Sequence, residues 1–189
     1  DQLASVFEIR EPIHMENENG TIITILPSKS FRVSCTHAGE GGRMTQYFST
    51  EITPEIYEKE IAPARTFVFY EDVEPLLEKG LIKGGSLENA VVIRDDSILS
   101  KEPLRFDEEF ARHKILDVIG DLMLSGKRIM GHVLCVKPGH GPNTQMAIQL
   151  KKAFGDVMSM TPQVNIPTGE GALDINEVMK ILPHRYPFL

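Results

Sequence analysis

The chain has 189 residues, enough for one ordinary domain with a real core and something more. With 41% apolar and 25% charged residues it reads as a soluble globular chain, and a net charge of −7 argues against a nucleic-acid binder, which would carry a basic face. No run of about 18 apolar residues is present, so no membrane-spanning helix is expected, and no signal peptide opens the sequence. The first residue is Asp1 rather than Met, so a longer parent is expected. Two cysteines, Cys35 and Cys135, make no disulfide framework. Both lie in strand-like runs and read as reduced core residues of a cytosolic protein.

Phe7, Ile9, Ile13 and Met15 alternate with mostly polar residues, the pattern of one half-buried strand. Asn19-Gly20 predicts a tight hairpin turn. Residues 21–26 return as a strand, and Phe31, Val33 and Cys35 alternate in another. A glycine-rich loop follows His37, and 44–49 reads as a further strand. Thr53-Pro54-Glu55 predicts a helix start with Thr53 as its N-cap.

Residues 65–70 read as a short strand, 71–79 as a short helix closed by Gly80, and 90–93 as another strand. Pro75 weakens the first turn of that helix, and Lys83-Gly84-Gly85-Ser86 is a turn. Together they make a compact β-α-β insert. Its apolar residues Val73, Leu76, Leu77, Ile82 and Leu87 form either a satellite core or a lined apolar passage.

The stretch 106–123, FDEEFARHKILDVIGDLM, has helical charge spacing. With His113 at zero on a wheel of about 100° per residue, Asp117 falls at about 40° and Asp121 at about 80°. Ala111, Ile115, Ile119, Leu122 and Met123 form the opposite, apolar arc. This helix therefore buries one face and presents an imidazole and two carboxylates on the other. It ends near Gly126; 129–136 then reads as a buried strand. The strand runs into Lys137-Pro138-Gly139-His140-Gly141-Pro142-Asn143, where Asn143 is expected to cap a helix reaching Phe154. Residues 157–160 read as an edge strand, 159–172 hold an interdomain linker rich in proline and glycine, and 173–182 resume as a short helix. The abrupt end at Leu189 again suggests truncation.

A histidine and an aspartate at i, i+4 lean over one helical turn and can close on one metal ion, which makes His113 and Asp117 candidate ligands. A hydrolytic zinc site takes three protein ligands plus water. The third could be His140, His37 or His132, or lie on a missing segment; spacing alone does not choose. His132 reads as structural, His14 and His37 as surface histidines, and His184 shows no partner. His140 sits in a glycine-flanked loop after a buried strand, and Asp121 is its natural carboxylate partner. Such a carboxylate favours the protonated ring, so the pair would act as a general acid or cationic stabiliser. Lys114, at the edge of the stripe, could meet a phosphate.

The segments IAPARTFVF, GLIKGGSLENAVVI, LRFDEEFARHKILDVIGDL and KPGHGPNTQ resemble successive motifs of UDP-3-O-acyl-N-acetylglucosamine deacetylase, the zinc amidase of lipid A biosynthesis. The likeness spans 5–158, the second of that family's two domains, and LPHRYPFL resembles the opening of a 3-hydroxyacyl-carrier-protein dehydratase. The resemblance implies an α+β fold, a β-sheet packed on two helices with a small β-α-β insert at 65–93. It implies a deacetylase domain over 1–158 and a truncated dehydratase start over 173–189. His113 and Asp117 match two zinc ligands, while His140 and its orienting Asp121 match the catalytic pair. Thr66, Phe67 and Lys114 match substrate-contacting positions, and Gly85 lies in the insert whose passage holds the acyl chain. The implied partners are an acylated UDP-sugar, the first deacetylase domain with the third zinc-ligating histidine and a general-base glutamate, and a fused dehydratase. Gly141-Pro142 replaces the family's usual Ala-Leu, and Val68 stands where glycine is common. The rival reading is a non-catalytic α+β binding or scaffold domain whose His/Asp stripe is a solvated face.

Overall fold

Ten strands and two long helices account for most of the described part of the chain, which comprises residues 6–72, 74, 90–95 and 97–154 of a computed structural model. The chain divides into two units, Asp1–Val157 and Met158–Leu189, and the described residues all belong to the first. The expected edge strand at 157–160, the linker and the helix at 173–182 lie outside them.

The main sheet has five strands in the order β2 (Ile13–Glu16), β3 (Ile22–Leu26), β10 (His132–Val136), β4 (Arg32–His37) and β5 (Gln46–Glu51). The pairs are antiparallel except β10 with β4, which run parallel with Cys35 opposite Cys135. The β2–β3 turn is the expected one: Gly20 takes φ +76, a conformation that glycine adopts freely, and Asn17 Oδ1 accepts from the Asn19 and Thr21 amides. Both cysteines are buried free thiols. The adjoining Cys35 thiol and burial push the Cys135 thiol well above its ordinary pKa, which keeps it an unreactive core residue.

Alternation puts Ile23, Ile25, Val33, Cys35, Val133 and Cys135 on the inner face of the sheet. Against them pack two helices, α2 (Glu109–Met123) through Ile115, Val118 and Leu122, and α3 (His140–Ala153) through Met146, Ala147 and Leu150. The fold is thus α+β, a sheet on two helices. Met123, expected in the apolar arc, is 48% exposed: it lies at the arc's margin in the last turn, and Val118 takes the central place.

Two expected strands are each broken in two. Residues 7–15 split into β1 (Val6–Glu8) and β2, and 129–136 into β9 (Arg128–Met130) and β10. β1 and β9 form a separate parallel ribbon. Gly131 marks the break. A Cβ there would lie 2.6 Å from Ile9 Cγ1 and 3.1 Å from the Leu26 carbonyl oxygen, so only glycine lets ribbon and sheet come this close.

Thr53 caps the short helix α1 (Pro54–Ile56), its hydroxyl accepting from the Ile56 amide at 3.1 Å, and a single π turn (Tyr57–Ile61) follows. In the insert, β6 (Thr66–Phe69) pairs parallel with β7 (Ala90–Arg94), and β8 (Ser97–Leu99) adds an antiparallel edge. A parallel pair needs a crossover connection, and the chain is already helical at 70–72. Residues 73 and 75–79 of the expected helix, Gly85 and the five apolar residues named for the insert lie outside the described residues.

Candidate functional site

Helix α2 carries the site, and its position is fixed by residues remote in sequence. No residue of its own first turn caps it with a side chain. Instead Gln46 on β5 reaches across, Oε1 accepting from the Phe110 and Ala111 amides at 2.9 and 3.2 Å. A second anchor is Glu109, fully buried. Its Oε1 accepts from Arg65 Nε at 2.8 Å and from the Arg65 amide at 2.9 Å. Its Oε2 accepts from Arg65 Nη2 at 3.0 Å and from the Arg105 amide at 2.7 Å. Arg65 also donates from Nη1 to Ser100 Oγ at 3.0 Å and from Nη2 to the Pro103 carbonyl at 2.9 Å. The planar guanidinium suits this two-pronged grip, which an ammonium could not make. Burial pushes the Glu109 carboxyl up, but the bonds from Arg65 and Arg105 pull it net below its ordinary value.

The clamp brings Ala64 and Phe67 beside the polar stripe of α2, with the Phe67 ring edge-on to His113 at 6.3 Å between centroids. The Ala64 carbonyl can only accept, so His113 Nδ1, 3.1 Å away, carries the ring proton and leaves Nε2 with a free lone pair. That Nε2 lies 3.5 Å from Asp117 Oδ1. Two ligand atoms on a tetrahedral zinc, at bond lengths of about 2.0–2.2 Å, stand about 3.4 Å apart. The pair therefore has the donor types and spacing to hold such an ion, with the second-nitrogen hydrogen bond that orients ligating imidazoles. Among the described residues no group of three His, Cys, Asp or Glu side chains converges there, so His37, His132 and His140 do not complete it. Lys114 Nζ lies 3.4 Å from Asp117 Oδ2 and 5.5 Å from the Phe67 ring centre. Thr66 is exposed and Phe67 half-buried.

One turn further along α2, Asp121 meets His140. The His140 Nδ1–H bears on both carboxylate oxygens, at 2.9 and 3.1 Å. His140 is not in a loop as expected but is the first residue of α3, with Gly139 as the N-cap. Asn143 accordingly does not cap the helix. Pro142 sits in the first turn, where amides have no intrahelical partner, so its missing N–H costs nothing. Lys137, just upstream, takes a left-handed φ of +49 as the chain turns from β10 into this segment.

His37 is not a surface residue. It is 6% exposed, the last residue of β4, and its ring stands edge-on to Phe67 with centroids 4.7 Å apart. Burial, with the Lys114 cation nearby, lowers its pKa to about 4. It continues the inward alternation of Val33 and Cys35, a signal the glycine-rich loop after it obscured. His132 and His14 lie away from the stripe, bonded to Ser34 Oγ at 2.7 Å and Thr24 Oγ1 at 2.8 Å. Gly85 and His184 fall outside the described residues. Sequence reasoning missed Arg65, Glu109 and Gln46: the Arg65–Glu109 and Gln46–Phe110 pairings span 44 and 64 residues and leave no local signature.

A family model described as LpxC, UDP-3-O-acyl N-acetylglycosamine deacetylase, matches residues 1–152. A protein of Porphyromonas gingivalis named bifunctional enzyme LpxC/FabZ is 37% identical over 196 residues, covering 91% of this chain and 42% of that protein. Its namesake in Bacteroides thetaiotaomicron is 34% identical over 207 residues, covering 95% and 44%. A UDP-3-O-acyl-N-acetylglucosamine deacetylase of Chlamydia muridarum is 40% identical over 155 residues, covering 81% and 54%. The chain spans about half the length of the curated relatives it matches.

Proposed function

The chain belongs to the UDP-3-O-acyl-N-acetylglucosamine deacetylase family, and from that premise we propose that it is the second domain of a cytoplasmic, zinc-dependent deacetylase. The substrate is the acylated UDP-sugar of lipid A biosynthesis, and the bond hydrolysed is its acetamide. The observation that carries this reading is a pair of His/Asp couples, His113–Asp117 and His140–Asp121, whose carboxylates stand one turn apart on α2.

In this reading His113 Nε2 and Asp117 Oδ1 supply two zinc ligands, and the first domain supplies a third histidine and the general-base glutamate. A zinc ion so held would polarise the amide carbonyl and make water more acidic. The residues of this chain do the rest. Water attacks the carbonyl carbon, and charge gathers on its oxygen. His140 keeps Nδ1–H on Asp121, so its protonated ring presents Nε2–H first to that oxygen and then to the departing amine, which needs a proton to leave. Lys114 offers a cation to the diphosphate, Thr66 and Phe67 contact the substrate, and the insert around Gly85 takes the acyl chain.

Residues 159–172 are read as a linker and 173–189 as the opening of a fused dehydratase domain. The support is coverage: the two bifunctional relatives match 91% and 95% of the chain, the deacetylase alone 81%. The test is zinc stoichiometry measured beside acetate release in the deacetylase completed by its first domain. His113→Ala and Asp117→Ala lose metal; His140→Ala and Asp121→Asn keep it and lose kcat. A His140→Ala protein emptied of zinc would make His140 a ligand and end its role as acid.

A further inference from the structure

We infer that Asn143 is a positioning residue for His140, acting through Asp121; this rests on the reading of His140 as the proton donor. Asn143 is fully buried at the fourth position of α3. It does not serve the helix. Its amide already donates to the Gly139 carbonyl at 2.9 Å, and asparagine is a poor helix former because its side chain competes for backbone partners. Nor does it serve the core, since its Oδ1 is buried without a hydrogen-bond partner, which costs stability that a leucine there would not lose.

What Asn143 does make is one bond, Nδ2–H to Asp121 Oδ2 at 2.9 Å. That same oxygen accepts from His140 Nδ1 at 2.9 Å. His140 and Asn143 stand at i, i+3 on one face of α3 and converge on a single carboxylate. The terminal torsion of an aspartate is broad, so one partner does not fix its plane. The His140 side chain is 73% exposed and gains little orientation from packing. With Asn143 as a second donor, the carboxylate plane is set, both oxygens bear on Nδ1, and the outer nitrogen of the ring is aimed in one direction.

The experiment uses the deacetylase completed by its first domain. Asn143→Leu fills the space and removes the unpartnered oxygen, so thermal stability stays level or rises. The expected result is a kcat lower by about ten-fold, with KM within about two-fold and zinc content unchanged. In an Asp121→Ala background the same substitution changes kcat no further. Asn143→Ala, read the same way, serves if the leucine does not pack. An equal loss in both backgrounds, or no loss in the wild-type background, overturns the inference. If Asp121→Ala itself leaves kcat intact, the acid role of the His140 couple falls, and this inference falls with it.

Discussion

His113 and His140 face the same stripe of α2 and are held in opposite ways. The first is largely buried, its inner nitrogen tied to the Ala64 carbonyl next to a closed Arg65–Glu109 network. The second is open to solvent at the first residue of a helix and leans on one carboxylate. The contrast matches the two tasks proposed. A ligand must keep its lone pair at a fixed distance from a second ligand atom, so rigidity serves it. A proton donor must meet a group whose charge changes during the reaction, so it needs an exposed outer nitrogen and orientation from behind.

The comparison breaks most severely at the clamp. Glu109→Ala leaves the Arg65 cation buried without its partner, and such losses cost about 3–5 kcal/mol. Denaturant unfolding of the variant should show that drop, with zinc affinity falling alongside because the clamp joins the segment of Ala64 to the helix that carries His113. Full stability in this variant would mean that the network does not hold the His113 side.

A somewhat smaller effect is expected from acid. Folded His37 has a pKa of about 4 against an ordinary 6.5, so between these values the unfolded chain binds a proton that the folded one refuses. Its neutral burial is therefore without penalty above pH 6.5, and stability falls as pH drops through the window, by roughly 3 kcal/mol in all. His37→Leu should flatten the stability profile between pH 6.5 and 4. An unchanged slope would assign the acid sensitivity to other groups.

The smallest stability effect belongs to the open side. His140→Ala removes a mostly exposed ring and should move unfolding by no more than about 0.5 kcal/mol, while kcat falls by about a hundred-fold or more. A large destabilisation instead would show that His140 is as structurally committed as His113, and the contrast between them would disappear.

Much of this was legible in local pattern. The 3.6-residue period of α2 placed His113, Asp117 and Asp121 on one stripe, and Asn19-Gly20 announced its turn. Period-two alternation also points His37 inward, a signal that the glycines after it obscure. The strand breaks at Gly131 and after Glu8 were hidden because both halves of each run are apolar, and only a close approach between Ile9 and Gly131 separates them. The start of α3 is hidden because Asn143 looks like a cap, whereas its side chain is engaged with Asp121. Arg65–Glu109 and Gln46 had no local signal to offer, since each joins elements that only the folded chain brings together.

The Gln46 contact also bears on when α2 can form. Its first amides are satisfied by a side chain 64 residues upstream, so that end of the helix has no partner until β5 has docked. A peptide covering 106–126 alone should fray at its start, in keeping with the high nucleation cost of isolated helices. In folding kinetics the loop closure must come before the cap rewards it, which places the start of α2 late on the pathway. Gln46→Ala should then mainly speed unfolding, with a φ-value near zero, while substitutions at Ile115 in the middle of the helix report earlier structure.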